Sequence, residues 1–123
     1  MRCWLGLVTG IAAVVPTSAQ AMTVETFLAK AKALQSGGLF SATSPDLALV
    51  RTEIRDAATA YRTRVEADRV AARPPRSCPP PTGKAKIDAR KLIAAFDALP
   101  PAERSQTVTS AFIATMERLY PCK

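Results

Sequence analysis

Two cysteines frame the C-terminal part of this chain and narrow the ways it can fold. Cys78 sits in a proline knot, Arg73-Pro-Pro-Arg-Ser-Cys-Pro-Pro-Pro-Thr-Gly-Lys84. Cys122 closes the terminal run Leu119-Tyr-Pro-Cys122. Two stretches of helical apolar spacing lie between them. In an exported chain two cysteines are expected to pair, the alternatives being two free thiols or an intermolecular bridge. A Cys78–Cys122 bridge would close a loop of 45 residues. By loop-closure entropy that contributes about 4 kcal/mol.

Export is itself a reading of the N-terminus. Residues 1–21 carry a single charge, Arg2, followed by the apolar run from Cys3 to Val15. Pro16 and Ser18 interrupt the run, and Ala19-Gln20-Ala21 has the small-x-small pattern of a cleavage site. The apolar run is shorter than the roughly 20 residues that cross a bilayer, so the segment reads as a signal peptide cut after Ala21. The competing reading is a short N-terminal anchor. Cys3 lies too early to be a lipid-modified residue of the cleaved chain.

Cleavage removes Arg2, Cys3 and Trp4 and leaves residues 22–123 as a single domain of 102 residues. Its charge is +6, from 16 basic and 10 acidic residues. Such a domain holds a modest core and profits from a covalent staple. The predicted location is the periplasm.

The apolar pattern predicts four helices. In the first, Thr23 caps and Val24, Phe27, Leu28, Ala31 and Leu34 form a stripe, with Met22 stapled to Phe27 and Gly37-Gly38 as the stop. Lys30 and Lys32 fall on the solvent side. Leu39 to Ser44 reads as a connector with two buried apolar residues, Leu39 and Phe40. Ser44-Pro45-Asp46 starts a second helix, expected to reach about Ala72. Its apolar side is Leu47, Val50, Ile54, Ala57, Ala58, Tyr61, Val65 and Ala72. The charged residues, Glu66, Asp68 and Arg69 among them, are expected in solvent. Beyond Val65 the stripe thins, so the last two turns are expected to project. Arg73 before Pro74 disfavours more helix.

Asp88 caps a third helix with the stripe Leu92, Ile93, Phe96 and Leu99, stopped by Pro100-Pro101. Ser105 or Thr107 caps the fourth, with Val108, Ala111, Phe112, Met116 and Leu119 inward. No stretch alternates as a strand does. The fold class is therefore all-α, a compact four-helix domain with one disulfide.

Catalysis finds little support. The sequence has no histidine, which removes the commonest general base and zinc ligand. The carboxylates sit among arginines and lysines in helical faces, as solvated ion pairs do. No catalytic residue, metal site or cofactor is expected. A basic chain suits an anionic partner such as an acidic protein cleft, cell-wall polymer or lipid headgroups. Nucleic acid is not expected without aromatic residues beside the basic ones. The arginine-rich second helix, with Arg51, Arg55, Arg62 and Arg69, offers one basic face. The stiff proline loop, with Arg73, Arg76, Lys84 and Lys86, offers another. A pre-ordered loop docks at a smaller entropic cost.

Several of these residues carry a family resemblance. Cys78-Pro79, the helix containing Leu92-Ile93-Ala-Ala-Phe96, Leu99-Pro100, Ala111-Phe112 and the closing Tyr120-Pro-Cys122-Lys together resemble the Rap/Tai immunity proteins. The likeness covers about residues 76–123. It implies a periplasmic, all-helical, disulfide-stabilised protein, commonly a homodimer, that protects a bacterium against type VI secretion amidase effectors. Such proteins plug the cleft of an enzyme that cuts peptidoglycan peptides. By the resemblance and the loop chemistry together, Arg73, Arg76 and Lys84 are the candidate partner contacts. The chain departs from the family in lacking a second cysteine pair near Ala57, Ala58 and Tyr61, and in its arginine-rich helix and proline loop. The rival readings are a small periplasmic stress or chaperone-like protein and an envelope binder that uses the arginine helix.

Overall fold

The computed structural model describes residues 21–81, 83–84 and 87–123. The signal-peptide expectation for residues 1–21, apart from Ala21, and the basic residue Lys86 therefore lie outside the described residues. The domain is all-α. Its helices are α1 (Val24–Ser36), α2 (Pro45–Val70), α3 (Ala89–Asp97) and α4 (Val108–Leu119). Two 3-10 turns, Gly38–Thr43 and Pro101–Glu103, complete the order.

Each helix begins where its capping residue stands. Thr23, Asp88 and Thr107 each accept the backbone N–H three residues on, and Ser44 accepts that of Asp46. These bonds satisfy N–H groups that have no partner inside the helix.

The starts of α1 and α4 also satisfy each other. Val24 and Glu25 donate to the carbonyls of Gln106 and Arg104 at 3.0 and 2.9 Å, while Val108 donates to Met22 O at 2.9 Å. Thr23 and Thr107 form an isolated antiparallel bridge there. Arg104 reaches back to Asp97 O at 2.8 Å and Leu99 O at 3.1 Å, which covers carbonyls at the end of α3.

One apolar cluster joins all four helices. Val24, Phe27, Leu28 and Ala31 of α1 meet Val50, Ala57 and Tyr61 of α2, Leu92 and Phe96 of α3, and Val108, Ala111, Phe112 and Met116 of α4. Phe27 and Phe96 pack edge to face with ring centroids 5.5 Å apart, and Tyr61 and Phe112 do so at 6.2 Å. Such contacts add about 1 kcal/mol each beyond area burial. The most extensive helix pairing is α2 with α4. Because α2 is 26 residues long, it also carries the chain well past the core centre.

Four expectations need correction. Leu39 and Phe40 are not buried: they are 96% and 85% exposed on the turn between α1 and α2. No described residue covers them. The end of α2 does not project, because Asp68 is buried there and is gripped by the loop after it. Ala72 is exposed with φ at +53°, outside the helix, and Leu119 is half-exposed rather than inward. Lys32 lies on the solvent side as expected and Lys30 is half-buried; they pair with Asp97 and Asp46, each at 2.9 Å, and so tie α1 to α3 and α2.

Candidate functional site

The region that combines a covalent bond, buried polar groups and the basic loop lies where α2 ends. After Val70 the chain turns back on itself. Ala72 N–H donates to Arg69 O and Arg73 N–H to Asp68 O, the paired bonds of a Schellman turn. The left-handed position of that turn is usually glycine; here it is Ala72. The turn sends Arg73 back alongside the last helical turn.

Asp68 accepts hydrogen bonds from the returning loop. Its side chain is 5% exposed. Arg73 Nε donates to Oδ1 at 3.0 Å, and Arg76 donates through Nε to Oδ2 and through Nη2 to Oδ1, both at 3.2 Å. The two guanidinium groups cover the carboxylate while remaining about half exposed themselves. Hydrogen bonding from Arg76 is the largest influence on Asp68 and holds its carboxyl below the usual aspartate value. Desolvation opposes this, and the charge of Arg76 and the contacts of Arg73 add to it. Buried carboxylates persist when paired and hydrogen-bonded in this way.

Four residues beyond Arg73 the loop enters the protein. Ser77 is 4% exposed. Its Oγ lies 2.6 Å from Tyr61 Oη, 3.1 Å from Tyr120 O and 3.4 Å from Met116 O. Carbonyls only accept, so the Ser77 proton points at the end of α4 and Tyr61 donates to Ser77. One serine thus joins α2, the loop and the end of α4.

Cys78, the next residue, forms the disulfide with Cys122, with Cα atoms 5.0 Å apart. Its backbone N–H donates to Tyr120 O at 2.8 Å. The covalent bond and the Ser77 contacts therefore fasten the same point. A formed disulfide is compatible with an exported protein. Among the described residues no helix is long and apolar enough to cross a membrane.

The three candidate contact residues stand in two settings. Arg73 and Arg76 converge on Asp68. Lys84 is exposed on a separate turn, closed by its own N–H to Pro81 O at 2.9 Å, with Gly83 at φ +85°. Beside the disulfide is a shallow recess lined by Val65, Arg69, Arg73, Pro75, Cys78 and Pro79, with Ser77 at its base.

The neighbours of Ser77 Oγ are a tyrosine hydroxyl and two carbonyls, none of which is a base at neutral pH. The carboxylate of Asp68 is occupied by guanidinium donors. Among the described residues no three histidine, cysteine, aspartate or glutamate side chains converge as a metal site.

Sequence reasoning missed Asp68 and Ser77. A signal for Asp68 was present: an acid in the last helical turn with arginines five and eight residues on, either side of Pro74-Pro75. Ser77 had none, since its partners lie 16, 39 and 43 residues away. No family model, curated protein or solved structure matches the chain.

Proposed function

We propose that this chain is a non-enzymatic, exported helical protein of the immunity type, which binds a peptidoglycan amidase effector and occludes its cleft. The observation that carries this reading is the loop fastened at three places. Disulfide, Ser77 junction and Asp68 ion cluster hold residues 73–78 in one arrangement before any partner arrives. A rigid element that fills an enzyme's cleft loses little entropy on docking, and its affinity stems from that preorganisation. The resemblance over residues 76–123 supplies the partner class, and its residues coincide with the stretch that the disulfide closes.

The basic residues then divide their roles. Arg73 and Arg76 fix the loop through Asp68 and present their outer N–H groups. Lys84 is the exposed cation that complements an acidic rim. The oxidised protein without its signal segment acts in the periplasm on this reading.

The test mixes the purified, oxidised protein with any secreted peptidoglycan amidase found encoded beside it and measures complex formation and peptidoglycan hydrolysis. A stoichiometric complex that blocks hydrolysis supports the proposal. Uninhibited hydrolysis overturns it, and broad capture of unfolded proteins or salt-sensitive binding to envelope polymer would move the function to one of the rival classes. Replacing Arg73, Arg76 and Lys84 together by alanine is expected to weaken the complex. Unchanged binding would remove the loop from the contact surface.

A further inference from the structure

The backbone just ahead of α1 is held more firmly than a chain end needs to be. Met22 is half-buried and packs against the apolar cluster. Its carbonyl accepts from Val108 N–H at 2.9 Å, and Thr23 beside it bridges to Thr107. Val24 and Glu25 N–H groups continue the same joint to Gln106 O and Arg104 O. Residue 22 therefore has one fixed position at the start of α1. Ala21, one residue earlier, is exposed. The Ala21–Met22 bond is the one expected to be cut when the leader is removed.

A carboxylate of α2 faces this position. The Lys30–Asp46 pair ties α1 to α2, and the two helices run back along each other from there. Met22 lies eight residues before Lys30 and Glu53 seven residues after Asp46, so both stand about two helical turns from the pair. The Met22 N–H donates to the Glu53 carboxylate. Glu53 is half-buried, and among the described residues no lysine or arginine pairs with it. Desolvation raises its pKa most, the charge of Asp56 raises it further, and only the Met22 N–H opposes them. A half-buried acid beside another acid, with one amide donor and no cation, is electrostatically incomplete.

We propose that Glu53 is the binding site for the α-ammonium group that leader removal creates on Met22. Hydrolysis of the Ala21–Met22 amide takes up one water, leaves a carboxylate on Ala21 and gives Met22 an ammonium. The nitrogen that donated one neutral N–H to Glu53 then carries a positive charge and three donors. It need not move, because the Met22 carbonyl and the Thr23 bridge already fix it. A cation at the start of a helix is disfavoured by the helix dipole unless an acid stands there. Glu53 is that acid, while Glu25 in the first turn of α1 is exposed. The charge-assisted bond is stronger than the neutral one it replaces. The joint between α1 and α4 thus reaches full strength only in the cleaved chain. The inference rests on the export part of the reading above and not on the amidase.

Two preparations of the oxidised protein test it, one beginning at Met22 and one retaining residues 19–21 ahead of it. In the first, NMR titration should place the α-amino pKa about one unit above its ordinary range of about 7.7–8.0. Glu53→Gln should return it to that range, and Glu25→Gln should leave it raised. At about pH 6 the chain beginning at Met22 should melt roughly 4–8 °C above the extended one. That gap should close in Glu53→Gln. In the parent it should also close as pH rises through the folded α-amino value, since a raised pKa stabilises only while the group is protonated. An ordinary α-amino pKa, or a gap that survives Glu53→Gln, overturns the inference. So does a raised pKa that Glu25→Gln abolishes, which would give the ammonium to Glu25. Intact mass of the protein exported by a Gram-negative cell should show a chain beginning at Met22. A different first residue overturns the inference alone, and an uncleaved chain overturns the export reading with it. No amidase enters these measurements, so neither result bears on cleft binding.

Discussion

Tyr61 and Ser77, sixteen residues apart, meet hydroxyl to hydroxyl at 2.6 Å in the interior. Tyr61 belongs to the middle of α2 and also packs against Phe112 of α4. Ser77 belongs to the loop and donates to the end of α4. The pair therefore couples the core to the loop independently of the disulfide.

The two residues are not equivalent, and mutation should separate them. Tyr61→Phe removes the donor but leaves Ser77 bonded to Tyr120 O, so the expected loss is about 1 kcal/mol. Ser77→Ala strands the buried Tyr61 hydroxyl, and its cost should be nearer 2 kcal/mol. The double variant should lose less than the sum, because no stranded hydroxyl remains. Urea denaturation of the three variants and the parent measures this. Equal single effects that add fully would show that the pair is not coupled.

Cys78→Ser/Cys122→Ser should lower stability by about 4 kcal/mol on the loop-entropy account, since 44 residues separate the two positions. The loop should nevertheless stay in place, because Cys78 N–H and Ser77 Oγ still reach Tyr120 O. Hydrogen exchange at residue 78 reads this directly. Protection lost at that amide, with the helices intact, would mean that the covalent bond alone holds the loop.

Ala72→Gly should stabilise the protein by about 0.5–1 kcal/mol. The alanine stands at φ +53°, where a Cβ is strained and glycine is not. Thermal denaturation checks the sign, and a lower melting temperature would show that the turn is not strained at this residue.

Asp68 should make the fold acid-sensitive. Its folded pKa lies below the ordinary 3.8, so the arginine cluster contributes its full stability above that value. The contribution falls away as pH drops from about 4 through the folded value. Asp97, held down chiefly by its hydrogen bond from Lys32, and Glu66, held down chiefly by that from Arg69, act in the same direction. Glu53, raised mainly by desolvation and then by Asp56, acts oppositely and is relieved by acid. Melting temperatures measured from pH 6 to pH 3 should therefore fall, and Asp68→Asn should flatten the slope. An unchanged slope would remove Asp68 from the acid response.

The helix starts were legible because their physics is local. Thr23, Ser44 and Asp88 each sit within three residues of the N–H they accept, so a short window of sequence holds both partners. Thr107 was one of two candidates, and its bond to Ser110 N–H selects it over Ser105. The core residues Phe27, Tyr61, Leu92, Phe96, Phe112 and Met116 were legible from helical spacing, since one apolar stripe per helix has only one way to face a shared interior.

What tertiary structure decided was the fate of residues whose partners lie far away in sequence. Asp68 looked like any helical surface acid until the Schellman turn folded Arg73 and Arg76 over it. Ser77 looked like loop filler until Tyr61 and the end of α4 converged on its hydroxyl. Leu39 and Phe40 looked like core, because composition reports apolarity but not whether another element arrives to cover it. By itself, the sequence determined where helices begin and which stripes turn inward. Burial is a property of the assembled surfaces, so only the folded chain decided which charge is enclosed, which hydroxyl pins the loop and which apolar pair is left in water.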